Sequence, residues 1–76
     1  MQERVIYIEL LTPKEMAISF SGLFDVDIKD SIKAMEGAHY DSNSKLWIMS
    51  IELKERLINT IGEKCLENGV KISDIP

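Results

Sequence analysis

The stretch that most constrains the fold is His39-Tyr40-Asp41-Ser42-Asn43-Ser44-Lys45-Leu46-Trp47-Ile48-Met49-Ser50. Asp41, Ser42, Asn43 and Ser44 carry short polar side chains that bond nearby backbone, so this run predicts a tight turn. Leu46-Trp47-Ile48-Met49-Ser50-Ile51 comes next, mostly apolar and too brief for a helix, which predicts a buried strand. Trp47 is the only tryptophan and stands near the start of that strand. The chain before this stretch must lead into it, and the chain after it must pack behind it.

At 76 residues the chain makes one small domain, taken as 1–76. A chain of this size buries only roughly 60% of its unfolded surface. The apolar share is 45% but only 7% is aromatic, so the core must be mostly aliphatic, with Trp47 its largest block. Cys65 is the single cysteine, which removes disulfides and a cysteine zinc site as staples and fits a reducing, cytosolic setting. The formal net charge of −4 argues against non-specific attraction to DNA or to an anionic membrane, while a local basic face can still outweigh it. No run of about 18 apolar residues predicts a membrane span. Glu3 and Glu9 interrupt any leader-like pattern, and Met1 reads as a natural start.

Arg4 to Leu11 is β-branched and aromatic and predicts a first strand, with Ile6, Ile8 and Leu10 facing inward and Val5, Tyr7 and Glu9 outward. Thr12-Pro13-Lys14-Glu15 can cap a helical turn or form a hairpin loop. The loop is preferred, because Met16, Ile18 and Phe20 then alternate with Ala17, Ser19 and Ser21 as a strand. Gly22-Leu23 breaks the run. Phe24-Asp25-Val26-Asp27-Ile28 alternates again and predicts a third strand, its two aspartates on a solvated face. Lys29 to Gly37 predicts a short helix, capped by Asp30 or Ser31, striped by Ile32, Met35 and Ala34, and ended at Gly37. Ala38-His39-Tyr40 is extended.

Glu52 to Asn68 is the strongest helix, because Leu53, Leu57, Ile61 and Cys65 recur every four residues beside Ile58 and Leu66. Ser50 is its candidate cap, with Glu52 and Glu55 favourable in the first turn. Gly62 marks an expected close helix–sheet approach. Asn68-Gly69 stops the helix, Val70 to Ser73 forms a last strand, and Pro76 closes the chain. The order β-β-β-α-β-α-β predicts an α+β fold, a small mostly antiparallel sheet with two helices on one face.

No catalytic motif is present. His39 is the sole histidine and has no second His or Cys at ligand spacing, so it is read as structural and no metal is expected. The two strand-face aspartates have no fixed His or Lys beside them and are read as solubilising. Cys65 lies on the apolar face of the long helix and is read as a buried, inert thiol. The serines include no nucleophile elbow, and the glycines form neither a phosphate-binding loop nor a dinucleotide fingerprint. Neither an enzyme nor a cofactor is therefore expected. The basic residues carry more. Lys29 and Lys33 are one helical turn apart, Lys45 follows the polar turn, and Tyr40 offers a stacking surface nearby. Asp30, Glu36 and Asp41 interleave with them.

From Phe24 onward the chain resembles the HARP domain, a small module of annealing helicases of the SNF2 class. The residues that carry this are Phe24-x-Val26-x-Ile28 before a short helix, Met35, Tyr40-Asp41, Lys45-x-Trp47, the Leu57/Ile58/Ile61 helix, and Val70-x-Ile72 before a terminal Ile-Pro. Tyr-Asp followed by Lys-x-Trp is the most specific part. The resemblance implies recognition of branched or forked DNA beside a helicase motor, work that related modules also do, including the amino-terminal module of the phage UvsW helicase. The composition is also similar to that of small T-even phage products, which implies the host cytoplasm. Asp25, Asp27 and Glu36 lie inside the matching region, where a basic surface is the family's pattern.

The leading expectation is a non-enzymatic accessory module of DNA repair or recombination. It binds branched or single-stranded DNA weakly, or helps a helicase do so, through Lys29, Lys33 and Lys45 on phosphates and Tyr40 against a base. Trp47 belongs to the core. The alternative is an acidic adaptor that docks a helicase or recombination protein without touching DNA. A third reading, an acidic mimic of DNA, needs a dense acidic row, and the acids here are scattered.

Overall fold

The computed structural model describes residues 4–22 and 26–75. The expectations for Met1, Glu3, Leu23, Phe24, Asp25 and Pro76 lie outside the described residues.

Four β-branched or aromatic residues, Val5 to Ile8, and a turn start the sheet. Strand β1 (Val5–Leu10) returns antiparallel as β2 (Glu15–Ser21). Between them the hairpin loop preferred from sequence is formed. The Thr12 hydroxyl accepts from the backbone N–H groups of Lys14 and Glu15, at 3.2 and 3.0 Å, which is how a threonine closes such a loop. Helix α1 (Val26–Lys33) then crosses to β3 (His39–Asp41), which turns back as β4 (Leu46–Ser50). A short 3₁₀ turn, Ile51–Leu53, leads into α2 (Lys54–Glu67), and β5 (Lys71–Ile75) comes last. The strand order is β3-β4-β2-β1-β5. All pairings are antiparallel except β1 with β5, so the sheet is mostly antiparallel, as expected.

The register puts one row of apolar side chains across the sheet. Ile6 faces Phe20, Ile8 faces Ile18, Ile18 faces Trp47, and Met16 faces Met49. Ile28 and Ile32 of α1 and Leu57, Ile61 and Cys65 of α2 join this row in one buried cluster. Both helices therefore cover the same face, and the α+β class is the one the pattern predicted. Each fully buried aliphatic side chain contributes roughly 1.5–3 kcal/mol relative to exposure. On the opposite face, Ala17 is buried because Glu9 and Ile48 flank it across the two neighbouring strands.

The strand expected over Phe24–Ile28 is corrected. Its described part, Val26-Asp27-Ile28, forms the first turn of α1. Two apolar residues separated by one polar residue fit a strand, but Ile28 and Ile32 are four apart and both fully buried, and Met35 is buried beyond them. The helical period therefore starts at Ile28. Asp27 meets the positive end of the helix, which a carboxylate favours. Asp30 and Ser31 consequently sit inside α1 and cannot cap it. Ser31 Oγ instead donates to the Asp27 carbonyl at 2.9 Å. The extended Ala38-His39-Tyr40 segment supplies the strand β3 in place of the lost one, so the order is β-β-α-β-β-α-β. Gly37 does adopt the left-handed conformation, with φ 91°, but in a separate tight turn closed by Ala38 N–H on the Met35 carbonyl.

The ends of α2 agree closely with the sequence. Ser50 Oγ accepts from Glu52 N–H at 3.3 Å and caps the 3₁₀ turn. At the other end Val70 N–H bonds the Cys65 carbonyl and Gly69 N–H bonds that of Leu66, with Gly69 at φ 67°. This is a Schellman ending, which satisfies carbonyls the helix leaves open. Gly62 is different from its expected role: a Cβ there meets nothing within 4 Å. Since no close approach requires glycine, Gly62→Ala should stabilise the fold by up to about 1 kcal/mol through helix propensity. Urea unfolding monitored by far-UV circular dichroism checks this; a lower midpoint for the variant contradicts it.

Candidate functional site

The β3–β4 hairpin sets one side of the site. Asp41 organises its turn: Oδ1 accepts from Asn43 N–H at 3.1 Å and Oδ2 from the Ser44 hydroxyl at 2.8 Å. These two donors, the Ser44 hydroxyl first, hold the Asp41 carboxyl below its ordinary value of about 3.8, and the nearby His39 adds to the effect. Lys45 ends the turn at φ 59°, a left-handed conformation that costs a non-glycine residue about 1 kcal/mol. With the turn fixed, Tyr40 stands directly opposite Trp47.

The two rings touch, centroids 5.2 Å apart and planes inclined by 53°, a tilted contact within the favourable range for aromatic pairs. Trp47 is 9% exposed and belongs to the core, as expected. Tyr40 lies over its edge of the sheet and stays 50% exposed. Side chains alternate along β3, so His39 and Asp41 point to the other face of the sheet from Tyr40.

Helix α1 supplies the other side. Lys29 and Lys33 share a face one turn apart. Together with Tyr40 and Trp47 they line a cavity of about 380 Å³. Lys29 lies 3.5 Å from the Asp30 carboxylate. Lys33 is exposed and makes no ion pair with the described residues. Of the four residues singled out from sequence, three thus converge. Lys45 does not join them and remains at the exposed hairpin tip. Trp47 has a part in the wall of the cavity that the sequence reading, which gives it to the core alone, misses. The signal lies in the hairpin itself: a four-residue turn at 42–45 pairs Tyr40 with Trp47 by register.

Three other cations are engaged elsewhere. Lys54 pairs with Asp74, Lys64 donates to the Ser31 hydroxyl and so ties α2 to α1, and Arg4 donates to the Asn68 carbonyl. Cys65 is 2% exposed inside the core. Among the described residues no three His, Cys, Asp or Glu side chains gather to hold a metal ion. Nor is any helix of the described residues long and apolar enough to cross a membrane. In chemical terms the cavity offers an aromatic surface beside two ammonium groups, which suits a flat ring carrying an anion.

Against protein-family models, curated proteins and solved structures, the chain finds no match.

The Asp41 turn has a pH signature. Its folded pKa is depressed, so its stabilisation is full above the unfolded value and is lost as pH falls through the folded one. Asp41→Ala should lower the melting temperature at neutral pH, and its gap from the parent chain should narrow as pH drops below about 3.8. A gap independent of pH, or an Asp41 carboxyl that titrates at or above 3.8 by NMR, contradicts the role given to this side chain.

Proposed function

We propose that the chain is a non-enzymatic accessory module of DNA repair or recombination. It binds branched or single-stranded DNA weakly, or assists a UvsW-type helicase in doing so, in the manner that its likeness to HARP domains implies. The observation supporting this reading is the convergence of Lys29, Lys33 and Tyr40 beside Trp47. Lys29 and Lys33 contact phosphates, Lys45 meets the strand at the hairpin tip, and Tyr40 lies against a base. The net charge of −4 keeps the affinity low. The cytoplasm is its setting, that of the host if a phage encodes it.

Three lysine–phosphate contacts on single-stranded DNA give a log–log salt slope of about −2. Charge reversal by Lys33→Glu together with Lys45→Glu should abolish binding to a forked DNA, read by fluorescence anisotropy at low and moderate salt. Affinity unchanged by the pair of substitutions would sink this assignment of the site.

A second reading, an adaptor for a helicase or recombination protein without DNA contact, is favoured by a separate feature. Leu10, Leu11 and Ile51 are exposed, and Leu10 and Ile51 line a groove of about 240 Å³ with Ile8 and Met16. If this reading holds, Leu10→Asp removes capture of such a protein in a pull-down while Lys33→Glu leaves it intact. Equal capture by the parent chain and Leu10→Asp counts against it.

A further inference from the structure

We infer that the cavity between α1 and the β3–β4 hairpin holds one unpaired nucleotide of a DNA strand, its base against Tyr40 and its phosphate between Lys29 and Lys33. This rests on the DNA-binding reading and narrows it from a basic surface to a pocket for a single unit. Three observations carry it. The first is size. About 380 Å³ lies near the lower end of ligand cavities, which run from about 300 to 1,000 Å³, and is room for one flat ring with its sugar.

The second is the state of the two rings. Trp47 is anchored in the core and 9% exposed, whereas Tyr40 leans on it, stays 50% exposed and lines the cavity. Tyr40 is therefore a platform already held in place, and stacking on it costs little ordering. The third is the placement of charge. Lys29 and Lys33 line the same cavity as the ring, so a phosphate joined to a stacked base falls within reach of both. The Lys29–Asp30 contact is partly open to solvent, Asp30 more than Lys29. A base inside a duplex is covered on both faces and has to leave the stack before it can enter.

The test uses the whole chain and its single tryptophan. Four probes are titrated: an eight-nucleotide thymidine strand, an abasic strand of the same length, a blunt duplex, and free thymidine monophosphate. Trp47 fluorescence and the Tyr40 ring signals in NMR are monitored. The thymidine strand should quench Trp47 and shift the Tyr40 ring. The abasic strand and the duplex should bind about ten-fold more weakly and leave the ring unmoved. Tyr40→Leu should reduce the thymidine strand to the abasic level, while Tyr40→Phe retains binding; circular dichroism confirms that both variants are folded.

Equal affinity for thymidine and abasic strands with a silent Tyr40 ring overturns the pocket and leaves the broader DNA reading standing. Free monophosphate binding as tightly as the strand also overturns it, assigning the cavity to a soluble nucleotide. Failure of all four probes to bind overturns both readings.

Discussion

Everything in this small fold depends on one apolar layer. Ile6, Ile8, Met16, Ile18 and Met49 on the sheet meet Ile28, Ile32, Leu57, Ile61 and Cys65 on the helices, and all of these are almost wholly removed from water. No disulfide supports it, and the described residues bury no polar or charged side chain in it. Aliphatic side chains of similar volume interdigitate across two helices and one sheet face, and stability depends on how tightly they fill that space. The position of α1 above the β3–β4 edge, and hence the position of Lys29 and Lys33, is a consequence of where Ile28 and Ile32 must go.

Most of this layer can be read from the residues. The alternation in β1 and β2 marks Ile6, Ile8, Met16 and Ile18, because a strand's period of two assigns faces without reference to tertiary structure, but it misplaces Val5, which is buried, and Leu10, which is 52% exposed at the strand's end. The four-residue recurrence from Leu53 to Cys65 does the same for α2. The failure lies at Val26–Ile28, where an apolar-polar-apolar triplet is compatible with either period. Only the continuation to Ile32 and Met35 distinguishes them. Gly62 misleads for a different reason: a glycine in a helix has no sequence mark that separates close packing from tolerance, and the space around it is open.

The site is legible in its residues but not in its geometry. Lys29 and Lys33 pair by helical spacing, and Tyr40 is near them in sequence. That Lys45 stays apart depends on the turn, where its left-handed backbone leaves the side chain at the exposed tip. Trp47 shows how one side chain serves two purposes. Its depth in the core steadies it, and its place opposite Tyr40 of the edge strand supports that ring, so the core's largest ring extends rigidity to the surface. An acidic chain can in this way keep a small cationic corner, because electrostatics at contact distance depends on the nearest groups more than on the total.

The pairing of β1 with β5 has a consequence for biosynthesis. Arg4 and Asn68, 64 residues apart in sequence, are joined where this pairing begins, and Val5 aligns with Lys71. On a translating ribosome β1 emerges early, and its outer hydrogen-bonding edge stays open until β5 has cleared the exit tunnel. An open edge invites pairing with other strands, and contacts between distant segments form slowly. The sheet therefore closes only after both crossover helices have been made, and the newly made chain is most prone to association during that interval.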